Sequence, residues 1–186
     1  MQARKSLGLL CAIAMGWPAC ASAQPRDPAA TLEDYAAWSG GTVVPAGQIE
    51  IDGRRMSCGS APTVLDPGYK DFGGSLPGFL ILNANRFVGL ATPVKLWIYS
   101  HECAHQSVGS DEVKADCVAV QRGKREGWLT PAGLAQICEF MRPARADQAH
   151  FNGPQRCELM QQCYRQPPAK ASADKAAKRP QVPAQQ

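Results

Sequence analysis

The chain has 186 residues, with 20 Lys or Arg against 16 Asp or Glu and a formal charge of +4. That balance is too even for a nucleic-acid-binding body, the more so because Lys170, Lys175, Lys178 and Arg179 cluster near the C-terminus against Asp174 alone. Beyond the first residues no stretch is apolar enough to span a membrane, and neither a nucleotide-binding loop nor an internal repeat is present.

Residues 1–23 read as a signal peptide: Arg4 and Lys5, a short apolar run from Leu7 to Trp17, then Ala21-Ser22-Ala23 as an A-x-A cleavage site. The run is too short for an anchor, and Trp17-Pro18-Ala19 ahead of Cys20 lacks the aliphatic residue of a lipidation signal. The expected product starts at Gln24 and is periplasmic or secreted. Export changes how the cysteines read. Cys11 and Cys20 leave with the leader, and Cys58, Cys103, Cys117, Cys138, Cys157 and Cys163 form an even set in an oxidising compartment, hence disulfides. Residues 24–166 suffice for one core but not two, and 167–186, rich in Ala, Lys, Pro and Gln without an aromatic, read as a disordered tail.

Within the body, Thr31 to Trp38 predicts a short helix. Gln48 to Ile51 alternates polar and apolar into Asp52-Gly53, a hairpin turn, with Arg54 to Cys58 as the returning strand. Pro62 to Leu65 predicts another short strand, Pro67 to Gly74 a loop, and Gly78 to Asn83 the clearest strand. Thr92-Pro93 predicts a helix start with Thr92 as N-cap, after which Val94, Trp97, Ile98, His101 and His105 recur at helical spacing. A second helix ends around Gly123 to Gly127. Thr130-Pro131 opens a third, running to about Met141 with Leu134, Ile137, Cys138 and Met141 inward, and a last helix spans about Pro154 to Tyr164. That last helix brings back Cys157 and Cys163, either of which can pair with Cys138. The expected fold class is α+β, mainly helical with a small antiparallel sheet and disulfide-bonded.

The chemistry concentrates in His101-Glu102-Cys103-Ala104-His105, an H-E-x-x-H. On a helix the two histidines share one face and can present two imidazoles to one ion, with Glu102 beside them as general base. A catalytic zinc takes three protein ligands and keeps one position open. Two carboxylates compete for the third place. Asp111 stands six residues after His105, where metzincins carry their third ligand, but the glycine those enzymes place three residues after the second histidine is Val108 here. Glu112 heads Glu112-Val113-Lys114-Ala115-Asp116, in which two carboxylates four apart share a face, so that Glu112 can bind metal while Asp116 orients a ligand histidine. Cys103, about 200° round the helix from His101, faces away from the metal, and a Cys103–Cys117 bridge would staple the two ligand helices. A rival reading joins His101 or His105 to these cysteines in a structural zinc site, which leaves Glu102 and the second motif without a role.

H-E-x-x-H followed by E-x-x-A-D resembles the gluzincin metallopeptidases, most of all the HtpX and CAAX-prenyl-protease type. The resemblance implies a zincin-like fold, Zn2+ on His101, His105 and Glu112, Glu102 as base, and a peptide or protein substrate. It departs from the family in spacing, since only Gln106 to Asp111 separates the motifs, which demands a tight helical hairpin. Downstream, His150-Phe151-Asn152-Gly153-Pro154-Gln155-Arg156 is similar to a degraded H-P-x-x-x-x-R segment, which implies that His150 hydrogen-bonds the developing oxyanion and that Arg156 braces the site; the alternative is a surface-loop histidine ahead of a helix. Zincins place an edge strand beside the active-site helix, and Gly78 to Asn83 is either that edge or a buried core strand. Two other readings stay open: a non-catalytic zinc-stabilised binding protein, and a disulfide-built exported module without metal.

Overall fold

The structure, a computed structural model, describes residues 31–167, so the expected signal peptide and nearly all of the expected tail lie outside the described residues. Along the chain come α1 (Leu32–Ser39), β1 (Thr42–Val44), β2 (Ile49–Ile51), β3 (Arg54–Met56), β4 (Thr63–Leu65), β5 (Gly73–Leu76), β6 (Phe79–Leu82), a 3-10 turn (Ala84–Phe87), α2 (Thr92–Val108), α3 (Glu112–Arg125), α4 (Pro131–Met141) and α5 (Gly153–Arg165). No helix among the described residues is long and apolar enough to cross a membrane.

The fold is α+β as expected, but its sheet is mixed rather than antiparallel. The order is β1-β4-β6-β5, with β4 and β6 parallel and the other neighbours antiparallel. The cause is the path of the chain: after β4 it passes the place β6 will fill, lays down β5 as the outer strand, and turns at Pro77-Gly78 so that β6 enters between them. Gly78 has φ 89, which a Pro-Gly turn of this kind requires. All four residues of β6 are buried because both of its faces are covered. Phe79 and Ile81 pack with Tyr35 of α1, while Leu80 and Leu82 join the main core against Val94, Leu96 and Ile98 of α2. Of the two readings of this segment, the structure gives the buried core strand. The edge beside α2 is β5, and Gly73-Gly74, expected in a loop, form its first half.

β2 and β3 make the expected hairpin at Asp52-Gly53, both with positive φ. The N-cap of α2 is Ala91 instead of Thr92. Thr92 is drawn into the first turn by its hydroxyl, which donates to Asp52 Oδ2 at 2.7 Å and ties the helix start to the β2–β3 turn. Gly109, with φ 64, stops α2, and Asp111 caps α3 by accepting the Lys114 N–H at 3.0 Å, so the turn between α2 and α3 needs only three residues. Thr130 caps α4 as expected, and Asn152 caps α5.

Six cysteines form three disulfides, Cys58–Cys103, Cys117–Cys163 and Cys138–Cys157. The last matches the expected partner for Cys138. The Cys103–Cys117 bridge is not formed, because α2 and α3 face each other through their histidine and carboxylate sides. Cys103 therefore points out of that interface to the β3–β4 connection, and Cys117, one residue after Asp116, points to α5.

Candidate metal centre

Three side chains from two helices converge on one point. His101 and His105 are stacked on successive turns of α2, and Glu112 opens α3 directly across the three-residue turn. The His101 and His105 Nε2 atoms lie 3.1 Å apart, and Glu112 Oε2 lies 3.1 Å from the first and 3.5 Å from the second. Asp111, the competing carboxylate, faces away and pairs with Lys114 Nζ at 2.8 Å. The short spacing between the motifs therefore suffices to bring the three side chains together.

What surrounds these atoms fixes which of them carry protons. His105 Nδ1 is 2.6 Å from the Gly109 carbonyl oxygen, which can only accept, so the proton sits on Nδ1 and the lone pair on Nε2. His101 Nδ1 is 2.9 Å from Asp116 Oδ1 and is held in the same tautomer. Two lone pairs and a carboxylate oxygen are thus aimed at one another, and Glu112 Oε2, buried, makes a well-directed hydrogen bond with none of its neighbours. Such a group suits a positive charge placed between its atoms. Ligand atoms about 2.0–2.1 Å from a tetrahedral ion stand about 3.3–3.4 Å apart, which the observed spacings match. His101, His105 and Glu112 can therefore hold a metal ion.

Without a metal, a proton takes that role. Burial opposes charge on His101, but Asp116 and Glu112 outweigh it and raise its pKa to about 9. Burial likewise pushes Glu112 up, yet the two imidazoles hold its carboxyl well below the usual range. Behind His101, Asp116 is 3% exposed and Arg156 9%. Arg156 grips Asp116 with two parallel hydrogen bonds, Nε to Oδ2 and Nη2 to Oδ1, both 2.8 Å, and its guanidinium lies 5.5 Å from the Trp97 ring. Burial pushes Asp116 up, but His101 and Arg156 keep it ionised.

A cleft of about 1210 Å³ opens in front of these groups. Glu102, beside the first histidine, lines it, and burial pushes its carboxyl above the usual range in spite of the neighbouring imidazoles. β5 forms the opposite wall. A Cβ at Gly73 would come within 2.9 Å of Glu102 Cγ, so this glycine is what lets the strand approach Glu102 so closely. Aromatic side chains, Phe72, Trp97 and Phe140, close one end. The loop between α4 and α5 supplies His150, whose Nε2 lies 3.0 Å from Glu112 Oε2 and whose Nδ1 lies 3.1 Å from Asp147 Oδ1. His150 thus belongs to the cleft and approaches the same Glu112 oxygen that faces His101 and His105.

Each expected site residue, Glu102, His101, His105, Glu112, Asp116, His150 and Arg156, lies at this centre. Three neighbours were not singled out from the sequence: Gly73, Asp147 and Gln106. Asp147 carries a usable signal, three residues before His150, and Gln106 falls one turn after Glu102 on the same helix face. The chain matches no protein-family model, no curated protein and no solved structure.

Proposed function

We propose that this chain is an exported zinc-dependent peptidase. The observation that carries the reading is the convergence of two Nδ1-protonated histidines and one carboxylate, at ligand spacing, on the wall of an open cleft with Glu102 next to them. Zinc suits an N2O donor set with an open fourth place, and when bound it supplies Lewis acidity and an acidified water. Export follows from the leader read in residues 1–23 and accords with the three disulfides.

In this reading Glu102 accepts the proton of the attacking water, a role favoured by its raised pKa, and passes it on to the departing amine. Asp116 and Arg156 hold the His101 imidazole in the tautomer that binding needs. His150, with Nδ1 beside the Asp147 carboxylate and Nε2 beside Glu112, lines the cleft, and with both ring nitrogens protonated it donates from Nε2 to the carbonyl oxygen as negative charge builds there. The outer edge of β5, last in the sheet order, receives an extended peptide by main-chain pairing. These are the roles that the resemblance to HtpX-type gluzincins implies, in a minimal form with a shorter spacing between the motifs and a degraded H-P-x-x-x-x-R segment. The test is a digest of unfolded protein by the zinc-loaded mature chain beside Glu102→Gln: cleavage by the first alone supports the reading, and zinc held without cleavage by either points to a zinc-stabilised binding protein.

A further inference from the structure

Glu102 and Gln106 are four residues apart on α2 and face the same strand. Where Glu102 meets Gly73, Gln106 meets the far end of the β5–β6 hairpin. Its Nε2 lies 2.5 Å from Ser75 Oγ, 2.8 Å from the Leu76 carbonyl and 3.3 Å from that of Phe79, and its Oε1 accepts the Gly78 N–H at 3.0 Å. One side-chain amide therefore ties both strands and the turn between them to the helix. On the face of β5 turned to α2, Gly73 has no side chain to interlock with the helix, and Ser75 is the residue that Gln106 holds, so Gln106 is the side chain of α2 that hydrogen-bonds this edge.

The placing of this edge matters because of which groups it presents. Leu80 N–H donates to the Pro62 carbonyl and the Leu82 carbonyl accepts from Asp66 N–H, so these two residues of β6 point to the β4 side, while Asn83 N–H donates to Phe72. By alternation Phe72, Gly74 and Leu76 turn their main-chain groups to β6, and Gly73 and Ser75 turn theirs to the cleft. A strand added there pairs with Gly73, beside Glu102, and with Ser75, beside Gln106.

We propose that Gln106 is a positioning residue for extended substrates: it fixes the β5 edge so that a peptide paired to it lies in line with Glu102 and the metal-binding side chains. The proposal rests on the peptidase reading above. The amide is needed because the pocket offers two carbonyls and a hydroxyl to a donor, and an N–H to an acceptor; a carboxylate of the same size would repel both carbonyls.

The test uses the zinc-loaded mature chain, Gln106→Glu and Gln106→Leu, with two fluorogenic substrates: an octapeptide long enough to pair with β5 and a blocked dipeptide amide too short to do so. Both variants are expected to hold as much zinc as wild type, to exchange the Gly78 amide proton faster, and to show a KM for the octapeptide raised about tenfold with little change in kcat. Dipeptide kinetics stay unchanged. Equal losses on both substrates, as a merely structural role would produce, or variants indistinguishable from a wild type that cleaves both, overturn the proposal alone. A wild type that holds zinc and cleaves neither removes the peptidase reading, and the proposal with it.

Discussion

The two walls of the cleft are built in opposite ways. On the helical wall the polar groups are side chains: Glu112 and the histidines converge, Asp116 and Arg156 stand behind them, and the disulfides Cys58–Cys103, Cys117–Cys163 and Cys138–Cys157 start one or two residues from His101, Asp116 and Arg156. On the strand wall the useful groups belong to the main chain, and glycine supplies the room. The difference teaches that one wall is specified by residue identity and the other by the absence of side chains, so substitutions should damage them differently.

The largest effect is expected at Glu102. Glu102→Gln removes the proposed proton acceptor and should lower peptide hydrolysis by about 10²–10⁴-fold while zinc content is unchanged, a split read by assay and metal analysis together. Breaking the support behind the helical wall is the next largest: with Cys138 and Cys157 both changed to Ser, a crosslink across 19 residues is lost, and denaturant unfolding should show about 3 kcal/mol less stability. On the strand wall, Gly73→Ala drives a methyl group toward Glu102 Cγ and should reduce kcat by about 10²-fold with zinc retained, because a displacement of ~1 Å at the base is enough. Asp116→Asn leaves His101 without its carboxylate and should weaken zinc binding by about 10–100-fold in competition with a chelating dye.

The smallest effect is graded and depends on pH. In the metal-free protein His101 titrates at about 9 against an ordinary value of 6.5, so its contribution to stability is complete below 6.5 and is lost as pH rises through 9. Asp116, shifted down, keeps its contribution through this range and loses it only in acid. The Tm of the metal-free protein should therefore fall between pH 6.5 and 9, and zinc should abolish that fall, since a ligand histidine is already neutral.

This contrast also explains what was legible in the sequence. The helical wall is written in residue types at fixed spacing: His101, Glu102 and His105, then Glu112 and Asp116, with a cap at Thr130. Helical periodicity therefore places them without knowledge of the rest of the fold. The strand wall carries no such signal. Gly73-Gly74 reads as loop because glycine lowers strand preference; its reason for being there, the approach of Glu102 and, at Gly74, of the Tyr69 ring, is tertiary. The parallel pairing of β4 with β6 and the partner of Cys103 are likewise set by contacts between distant segments. Asp116 and Arg156 show the intermediate case: the residues stood out, but their bidentate pairing across 40 positions is visible only in the fold.

The most direct test is zinc per mole of the mature, oxidised protein, purified without added metal, beside its Glu112→Ala variant. A stoichiometric zinc in the wild type and little in the variant is the expected result. No zinc in either would contradict the account, leaving the two histidines and Glu112 a cluster held together by protons alone.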